Sequence, residues 1–287
     1  MRRLIINADD FGLTSGINRA ITEAGRGGAI TSATIMANAS KFQEAVDSAR
    51  SLPGLKTGCH VVLVDGQAVA GNLASLTDSA GRFRGSLTDF AGAALRKQLS
   101  EDEVQREVEA QIRKIRAQGV VLTHVDSHKH THMFPQVLGP ILRAARACGI
   151  RAVRNPFEPL RSWPAGRMAR TPGLWLRSAG VLTFRLFARA FREAIQKEEM
   201  LSTDGTVGIA ATGKLHEKAL LAILQALPEG TWELVCHPGY ADSDLRAAGT
   251  RLVESRQVEL EALTSQETKQ TLEARGIELI SYADLKQ

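Results

Sequence analysis

The chain has little cysteine and no long apolar run. Its three cysteines stand at positions 59, 148 and 236 and form no CxxC pair. Neither a disulfide scaffold nor a zinc ribbon is therefore predicted, and free thiols suit a reducing compartment. No stretch approaches the roughly 20 apolar residues of a membrane span. The first apolar run, residues 4–6, is too short for a secretion signal. We expect a cytoplasmic protein.

Aromatic residues are also scarce, and positive charge is concentrated in one segment. Residues 151–192 contain nine arginines and one acid, Glu158, whereas the whole chain has a net charge of +5. An anionic membrane, a nucleic acid or plain solvation could each explain such a segment. The arginines have no interleaved aromatic platform, so nucleic-acid binding is not expected.

Short apolar runs alternate with helical patterns along most of the chain. Strand patterns occur at RLIINAD, TSATIMAN, KTGCHVVLV, VVLTHVDSH, IRAVRN, TWELVCHP and IELISYADL. Helical patterns of roughly ten to fifteen residues separate most of them, which is typical of βαβ units and a parallel sheet. We predict a single α/β domain over residues 1–287, with residues 65–100 and 155–200 as insertions.

Polar side chains stand within or at the ends of several of these strands. They are Asp9, Asp10, His60, Asp126, His128 and His237. Because catalytic groups of parallel α/β proteins collect at the carboxyl ends of strands, we expect these residues to meet at one edge of the sheet. Structural alternatives exist for some of them. The acids could cap the following helix, His60 could be a hydrogen-bonded core residue, and His237 could be only a turn residue.

The segment THVDSHKHTHMFP contains four of the seven histidines. In an extended chain His124, Asp126 and His128 share one face, and His130 continues that face if the chain stays extended. Crowded imidazoles repel one another when charged, so a metal or acidic partners are expected. We predict a metal site with Asp10, His60 and His128 as ligands. Three protein ligands leave positions for water and substrate.

Several motifs, in this order, carry a resemblance to a known family. INADDFGLTSGIN, TSATIMAN, GCHVVL, THVDSHKHTHMFP and LVCHPGY closely resemble the YdjC-like carbohydrate deacetylases, a group similar in chemistry to the NodB-type polysaccharide deacetylases. The resemblance implies a distorted (β/α) TIM-like barrel with mainly parallel strands. It also implies a divalent metal, Zn or Mg, and removal of N-acetyl groups from amino sugars.

The resemblance also implies roles for individual residues. Asp9 would be the general base, and Asp10, His60 and His128 the metal ligands. His237 would be the general acid, and His130 and His132 would line the substrate pocket. Lys129 stands between the predicted ligand His128 and His130. Because neighbouring residues of a strand face opposite sides, Lys129 is expected to point away from the metal.

A narrower resemblance concerns the second insertion. GLWLRSAGVLTFRLFARAFR looks like the hopanoid-biosynthesis-associated branch, HpnK, whose members act on an N-acetylglucosaminyl hopanoid. The expected partner is then a glycolipid substrate, with peripheral contact to the inner membrane face through residues 174–192. One helical face of the segment is apolar and the opposite face carries arginines. A core-packing helix with a solvated basic face is the alternative.

Other functions remain open at this stage. A general N-acetyl-oligosaccharide deacetylase of the chitooligosaccharide type would use the same site. A mononuclear iron oxygenase also uses two histidines and one carboxylate, but usually on an antiparallel barrel. A non-catalytic membrane-peripheral glycolipid carrier would depend on the arginine-rich helix and would have no need of Asp9. The sequence leaves the choice between a monomer and a homodimer undecided.

Overall fold

A parallel eight-stranded sheet forms the centre of the molecule. The computed structural model describes residues 1–159 and 185–286. The strands are β1 (Arg2–Phe11), β2 (Ser32–Ile35), β3 (Lys56–Val61), β4 (Leu122–Ser127), β5 (Ala152–Val153), β6 (Gly205–Val207), β7 (Gly230–Cys236) and β8 (Ile277–Ile280). Their order is β5-β4-β3-β2-β1-β7-β6, with β8 paired to β1.

The sheet curves into a distorted TIM-like barrel, so the predicted fold class is confirmed. β7 pairs with β1 from Arg2 to Ala8. β8 pairs with the first four residues of β1, and β2 pairs with it only from Asn7 onward. β8 and β2 therefore share one edge of β1, and this sharing distorts the barrel. Leu201, shortly before β6, forms a parallel bridge to Ala152 of β5 and links the two ends of the strand order.

Ten helices are described around the barrel. They are α1 (Ser15–Arg26), α2 (Phe42–Ser51), α3 (Leu87–Leu95), α4 (Glu101–Arg116), α5 (Pro135–Ala147), α6 (Ala188–Lys197), α7 (Glu217–Ala226), α8 (Ser243–Ala247), α9 (Glu254–Thr264) and α10 (Gln266–Ala274). Their apolar faces pack on strands that are buried along most of their length, as is usual for parallel sheets covered by helices. No helix in the described ranges is long and apolar enough to cross a bilayer.

Three details differ from the sequence-based expectation. The fourth strand ends at Ser127, one residue before His128, and the fifth consists only of Ala152–Val153. The single helix expected around residues 251–275 is broken into α9 and α10. Ser265 adopts an extended conformation there and its side chain accepts a hydrogen bond from the backbone of Thr268, so it starts a new helix.

The second insertion is described only in part. Residues 160–184, which hold most of the segment resembling the hopanoid branch, lie outside the described residues. In α6, Phe191 is buried and its ring lies 5.5 Å from that of Phe157, whereas Arg189 is exposed and pairs with Glu193. The described part of this segment is therefore a core-packing helix with a solvated basic face.

Candidate active site

An irregular end of β1 places two carboxylates at the edge of the barrel. The pairing of β1 with β2 shifts register between Ala8 and Phe11, and Asp10 has a φ of 65°. Such a positive φ is uncommon outside glycine. Neither acid caps the next helix, because the Thr14 side chain accepts the hydrogen bond from the backbone of Ile17. The capping alternative is therefore wrong, and both buried carboxylates are available to the site.

Asp10, His60 and His128 meet at this edge. Asp10 Oδ1 lies 3.6 Å from His60 Nε2 and 3.2 Å from His128 Nδ1. One donor atom from each of the three residues lies within 4.8 Å of the others, an arrangement that could hold a metal ion. Asp10 Oδ1 is buried and has no hydrogen-bond partner. The structure thus brings together the three side chains that the sequence predicted as ligands.

A second carboxylate orients His60. β3 and β4 pair His60 with Asp126, and His60 Nδ1 lies 2.7 Å from Asp126 Oδ1. A ring nitrogen that donates to this carboxylate leaves Nε2 free to face Asp10. Burial alone would lower the pKa of His60, but the carboxylates of Asp126, Asp9 and Asp10 raise it. His60 is indeed buried and hydrogen-bonded, yet its second nitrogen points to the cluster.

The histidine-rich segment does not stay extended. After Ser127 the chain forms a 3₁₀ turn over His128–Met133, in which Lys129 and His130 have φ values of 54° and 53°. The condition under which His130 would continue the strand face, an extended chain, is therefore not met, although the turn brings His130 into the cavity wall. Lys129 also lines the cavity and pairs with Asp65. Because Lys129 lies in this turn and not in a strand, the alternation of strand faces does not determine its orientation.

The other two histidines of the segment face the interior. His124 stacks on Tyr282, with ring centroids 3.8 Å apart, and its Nε2 lies 3.2 Å from Asn7 Oδ1. His132 Nδ1 lies 2.5 Å from Ser127 Oγ, and His132 does not line the cavity that the described residues form. Burial lowers the pKa of both rings well below the usual value. The neutral form of both imidazoles is therefore favoured.

Arg154 joins the acids of several strands. It is fully buried and its terminal nitrogens lie 2.8 and 2.6 Å from the two oxygens of Asp9. One of them also lies 2.8 Å from Asp126 Oδ2 and 2.7 Å from Glu233 Oε1. Burial alone would raise the pKa of Asp9, but the charge and hydrogen bonds of Arg154, with His60, hold it far below its usual value. Asp9 is therefore ionised throughout the neutral range.

Sequence reasoning missed Arg154 and Glu233. Each interrupts an apolar strand pattern, in IRAVRN and TWELVC, and is buried in the barrel. A polar residue within an apolar strand pattern also pointed to His60. Arg154 and Glu233, however, lie outside the motifs that carry the family resemblance. Glu233 also accepts a hydrogen bond from the Tyr282 hydroxyl across the barrel interior.

His237 closes the site on the side opposite His128. Its Nε2 lies 3.9 Å from Asp9 Oδ2, and its Nδ1 lies 3.9 Å from Glu259 Oε2. The backbone nitrogen of His237 donates to Glu259 at 2.6 Å, so the residue is fixed by α9 and is more than a turn residue. Burial lowers the pKa of His237 to about 4 and raises the pKa of Glu259 to about 7. His237 is neutral at pH 7 in the free protein.

A cavity of about 610 Å³ opens above these groups. Asp9, Asp10, His60, His128 and His237 form its floor and sides. Polar side chains, among them Lys129, His130 and Arg256, complete the wall together with apolar side chains and the rim segment 248–252. The cavity is large enough for a sugar-sized ligand, and it gives such a ligand access to the cluster and to Asp9.

The barrel and the cluster at its edge define a protein with a candidate metal centre. A carbohydrate deacetylase of Brevibacillus brevis is 32% identical to the chain over 284 residues, 99% of each protein. One from Oceanobacillus iheyensis is 34% identical over 209 residues, 71% of this chain and 86% of the relative. A crystal structure of an Enterococcus faecalis protein, named for cellobiose-phosphate cleavage, matches with a TM-score of 0.77 and 27% identity, covering 98% of this chain and 97% of the other.

A family model described as YdjC-like protein matches residues 3–274. The chain belongs to the YdjC-like family, and the resemblance that its motifs predicted is confirmed at the level of the family.

Proposed function

We propose that this chain is a metal-dependent carbohydrate N-deacetylase that hydrolyses the acetamido group of an amino sugar. The observation that carries the proposal is the convergence of Asp10, His60 and His128 on one buried point beside Asp9 and His237. Relatives named carbohydrate deacetylase that align over the whole chain support the same reaction. The products are acetate and a free sugar amine.

The donor set fits a divalent cation. One carboxylate oxygen and two imidazole nitrogens are the ligands that catalytic zinc and related ions prefer. Asp10 Oδ1 is a buried acceptor without a hydrogen bond, which a cation would satisfy. Asp10, His60 and His128 would hold the ion, which would polarise the acetyl carbonyl and lower the pKa of water. Zn²⁺ and Mg²⁺ are both compatible with these ligands.

Asp9 is placed to accept a proton from the attacking water. Its carboxylate lines the cavity without belonging to the Asp10 cluster, and Arg154 fixes both of its oxygens. The low pKa keeps Asp9 ionised but also makes it a weak base. We infer that Asp9 works only on a water that is already acidified.

His237 is placed to return a proton to the departing amine. It is neutral at the start, since burial lowers its pKa to about 4. It must therefore gain the proton during the reaction before it can donate it. Asp9 Oδ2, 3.9 Å from His237 Nε2, is an acidic oxygen from which that proton can come. The proton released by the water would thus reach the leaving nitrogen within the site.

For the substrate, we propose an N-acetylglucosaminyl hopanoid glycolipid. This part rests on the resemblance of residues 173–192 to the hopanoid-associated branch, a segment that is mostly outside the described ranges. A general N-acetyl-oligosaccharide would fit the same chemistry. The carrier alternative gives no reason for a buried Asp–His–His cluster beside Asp9, and the parallel barrel differs from the antiparallel barrels of iron oxygenases.

An acetate-release assay tests the proposal. The metal-stripped protein is supplied with Zn²⁺, Mg²⁺ or no metal and is given N-acetylglucosaminyl substrates with and without a lipid tail. We expect acetate release only with metal, and faster release from the lipid-bearing substrate. Equal rates on both substrates would remove the hopanoid assignment alone. Metal binding without acetate release from any N-acetylated sugar would contradict the deacetylase proposal.

A further inference from the structure

Helix α9 reaches the metal cluster through Arg256, which also lines the cavity. This residue lies in the first turn of α9 and only 1% of it is exposed. Its terminal nitrogen Nη2 lies 2.5 Å from Asp10 Oδ2. Asp10 Oδ1, the other oxygen, faces His60 and His128 without a hydrogen bond. The two oxygens of one carboxylate thus have separate partners.

The surroundings hold the guanidinium of Arg256 in one orientation. Its Nε donates to the backbone oxygen of Leu252 at 3.1 Å. Gly239, in the CHPGY motif, leaves the space for the side chain, since a β-carbon there would lie 3.1 Å from Arg256 Cδ. The backbone nitrogen of Gly239 donates to the Arg256 oxygen at 3.2 Å. The contact with Asp10 is therefore built into the packing of α9 on the barrel.

Asp10 needs such support because its backbone is unfavourable. A non-glycine residue in the left-handed region is strained and persists where its surroundings fix it. Asp10, with a φ of 65°, is in that region, and its side chain is anchored by the ion pair with Arg256. Without the anchor the carboxylate would be free to rotate and to offer both oxygens to a cation.

We propose that Arg256 is a positioning residue that restricts Asp10 to ligation of the cation through one oxygen. This inference rests on the proposed metal site. A carboxylate that binds with both oxygens occupies two positions around the ion. By holding Oδ2, Arg256 keeps one more position open for water and the acetyl oxygen, which a catalytic site requires and a closed structural site lacks. The effect is indirect, since Arg256 acts through Asp10.

Cobalt binding gives a readout that does not depend on turnover. The metal-stripped wild type, Arg256→Met, Arg256→Lys and the exposed control Arg275→Met are titrated with Co²⁺ and followed by visible absorption. We expect all four to bind Co²⁺. Arg256→Met is expected to show weaker d–d absorption, because a further carboxylate oxygen raises the coordination number of the ion. Arg256→Lys, which keeps the charge and one donor group, is expected to lie between Arg256→Met and the wild type.

The kinetic expectation follows from the same geometry. Removing a residue that orients a metal ligand typically costs about 10–100-fold in affinity or activity. We expect kcat of Arg256→Met to fall by that factor while KM changes little, and Arg275→Met to match the wild type.

The outcomes separate this inference from the proposed function. If the wild type itself binds no Co²⁺, the metal site fails. If the wild type binds Co²⁺ and Arg256→Met has the same spectrum, only the positioning role fails, even where its melting temperature is lower. Arg256→Lys supplies the same comparison if Arg256→Met does not fold. A wild-type spectrum for Arg256→Lys then contradicts the inference, because a single ammonium cannot reproduce the guanidinium contacts.

Discussion

The two halves of the chain contribute to the site in different ways. Residues 1–133 supply Asp9 and the three candidate ligands from two dense motifs and one strand. Residues 150–260 supply His237 and the charged partners from several elements, with two of the partners on α9. Those partners are Arg154, Glu233, Arg256 and Glu259. The first half therefore holds the groups that would act on the substrate, and most of the second half's contribution is counter-charge and anchoring.

Substitutions in the two halves should therefore have different effects. Replacing a group from the first half should remove chemistry, whereas replacing an anchor from the second half should chiefly change stability or the geometry of its partner. Four substitutions test the division, in order of decreasing expected effect.

Asp10→Asn is expected to have the largest effect. An amide oxygen is a weaker ligand than a carboxylate, so bound metal should fall to background. Acetate release should then fall to the level of the metal-stripped wild type, a larger loss than the ~10²–10⁴-fold typical of one general base. Metal content is measured by atomic absorption after desalting. Full metal content together with full activity would end the ligand assignment.

Asp9→Asn is expected to keep its metal and lose turnover. The amide cannot accept the proton of the attacking water, so kcat should fall by ~10²–10⁴-fold. The exposed acid Asp244 provides the control, and Asp244→Asn should resemble the wild type in both measurements. A variant that loses its metal in parallel with its activity would instead place Asp9 among the ligands.

Arg154→Met tests the second half by removing one buried cation from three carboxylates. Asp9, Asp126 and Glu233 would then face one another without a counter-charge. Breaking such a buried network typically destabilises a protein by ~3–5 kcal/mol. Urea unfolding gives the loss. Arg189→Met, at an exposed ion pair on α6, should change stability little. An Arg154→Met variant as stable as this control would show that the network contributes no anchoring.

Glu259→Gln should change how stability depends on pH. Burial raises the pKa of Glu259 to about 7 from the ordinary 4.5, so the folded protein retains a proton that the unfolded chain releases. The contribution of Glu259 to the free energy of unfolding is fully present below pH 4.5 and is lost as the pH rises through 7.

Relative to the wild type, Glu259→Gln should therefore gain up to about 3 kcal/mol between pH 4.5 and 8. The free energies of unfolding of the variant and the wild type are measured with urea at each pH. A loss of stability that is the same at every pH does not change how their difference varies with pH. Glu261→Gln, exposed on the same helix, is the control. A pH dependence identical to that of the wild type would mean that Glu259 is ionised in the folded protein.

The same division explains what the sequence could and could not predict. The acids at the end of β1, His60 and His128 break apolar strand patterns, so their placement at one barrel edge followed from the topology. Arg154 and Glu233 break the pattern too, but only their mutual contact reveals a role. Arg256 and Glu259 gave no signal, because helices normally carry charges and only the docking of α9 buries these two.

Local backbone geometry was the other limit. No glycine marks the left-handed residues Lys129 and His130, so an extended course through the histidine segment was the natural expectation. The turn changes which imidazoles reach the cavity. His130 lines it, whereas His132 lies behind the wall.

The position of β8 beside β1 has a consequence for biosynthesis. The first strand can pair with β7 and β8 only after the residues from Gly230 and from Ile277 onward have been synthesised. Contacts between such distant segments form slowly and leave early strand edges bare in the meantime. The edge of β1 that receives β7 therefore stays unpaired on the nascent chain at a time when β2 and the three candidate ligands have already been made.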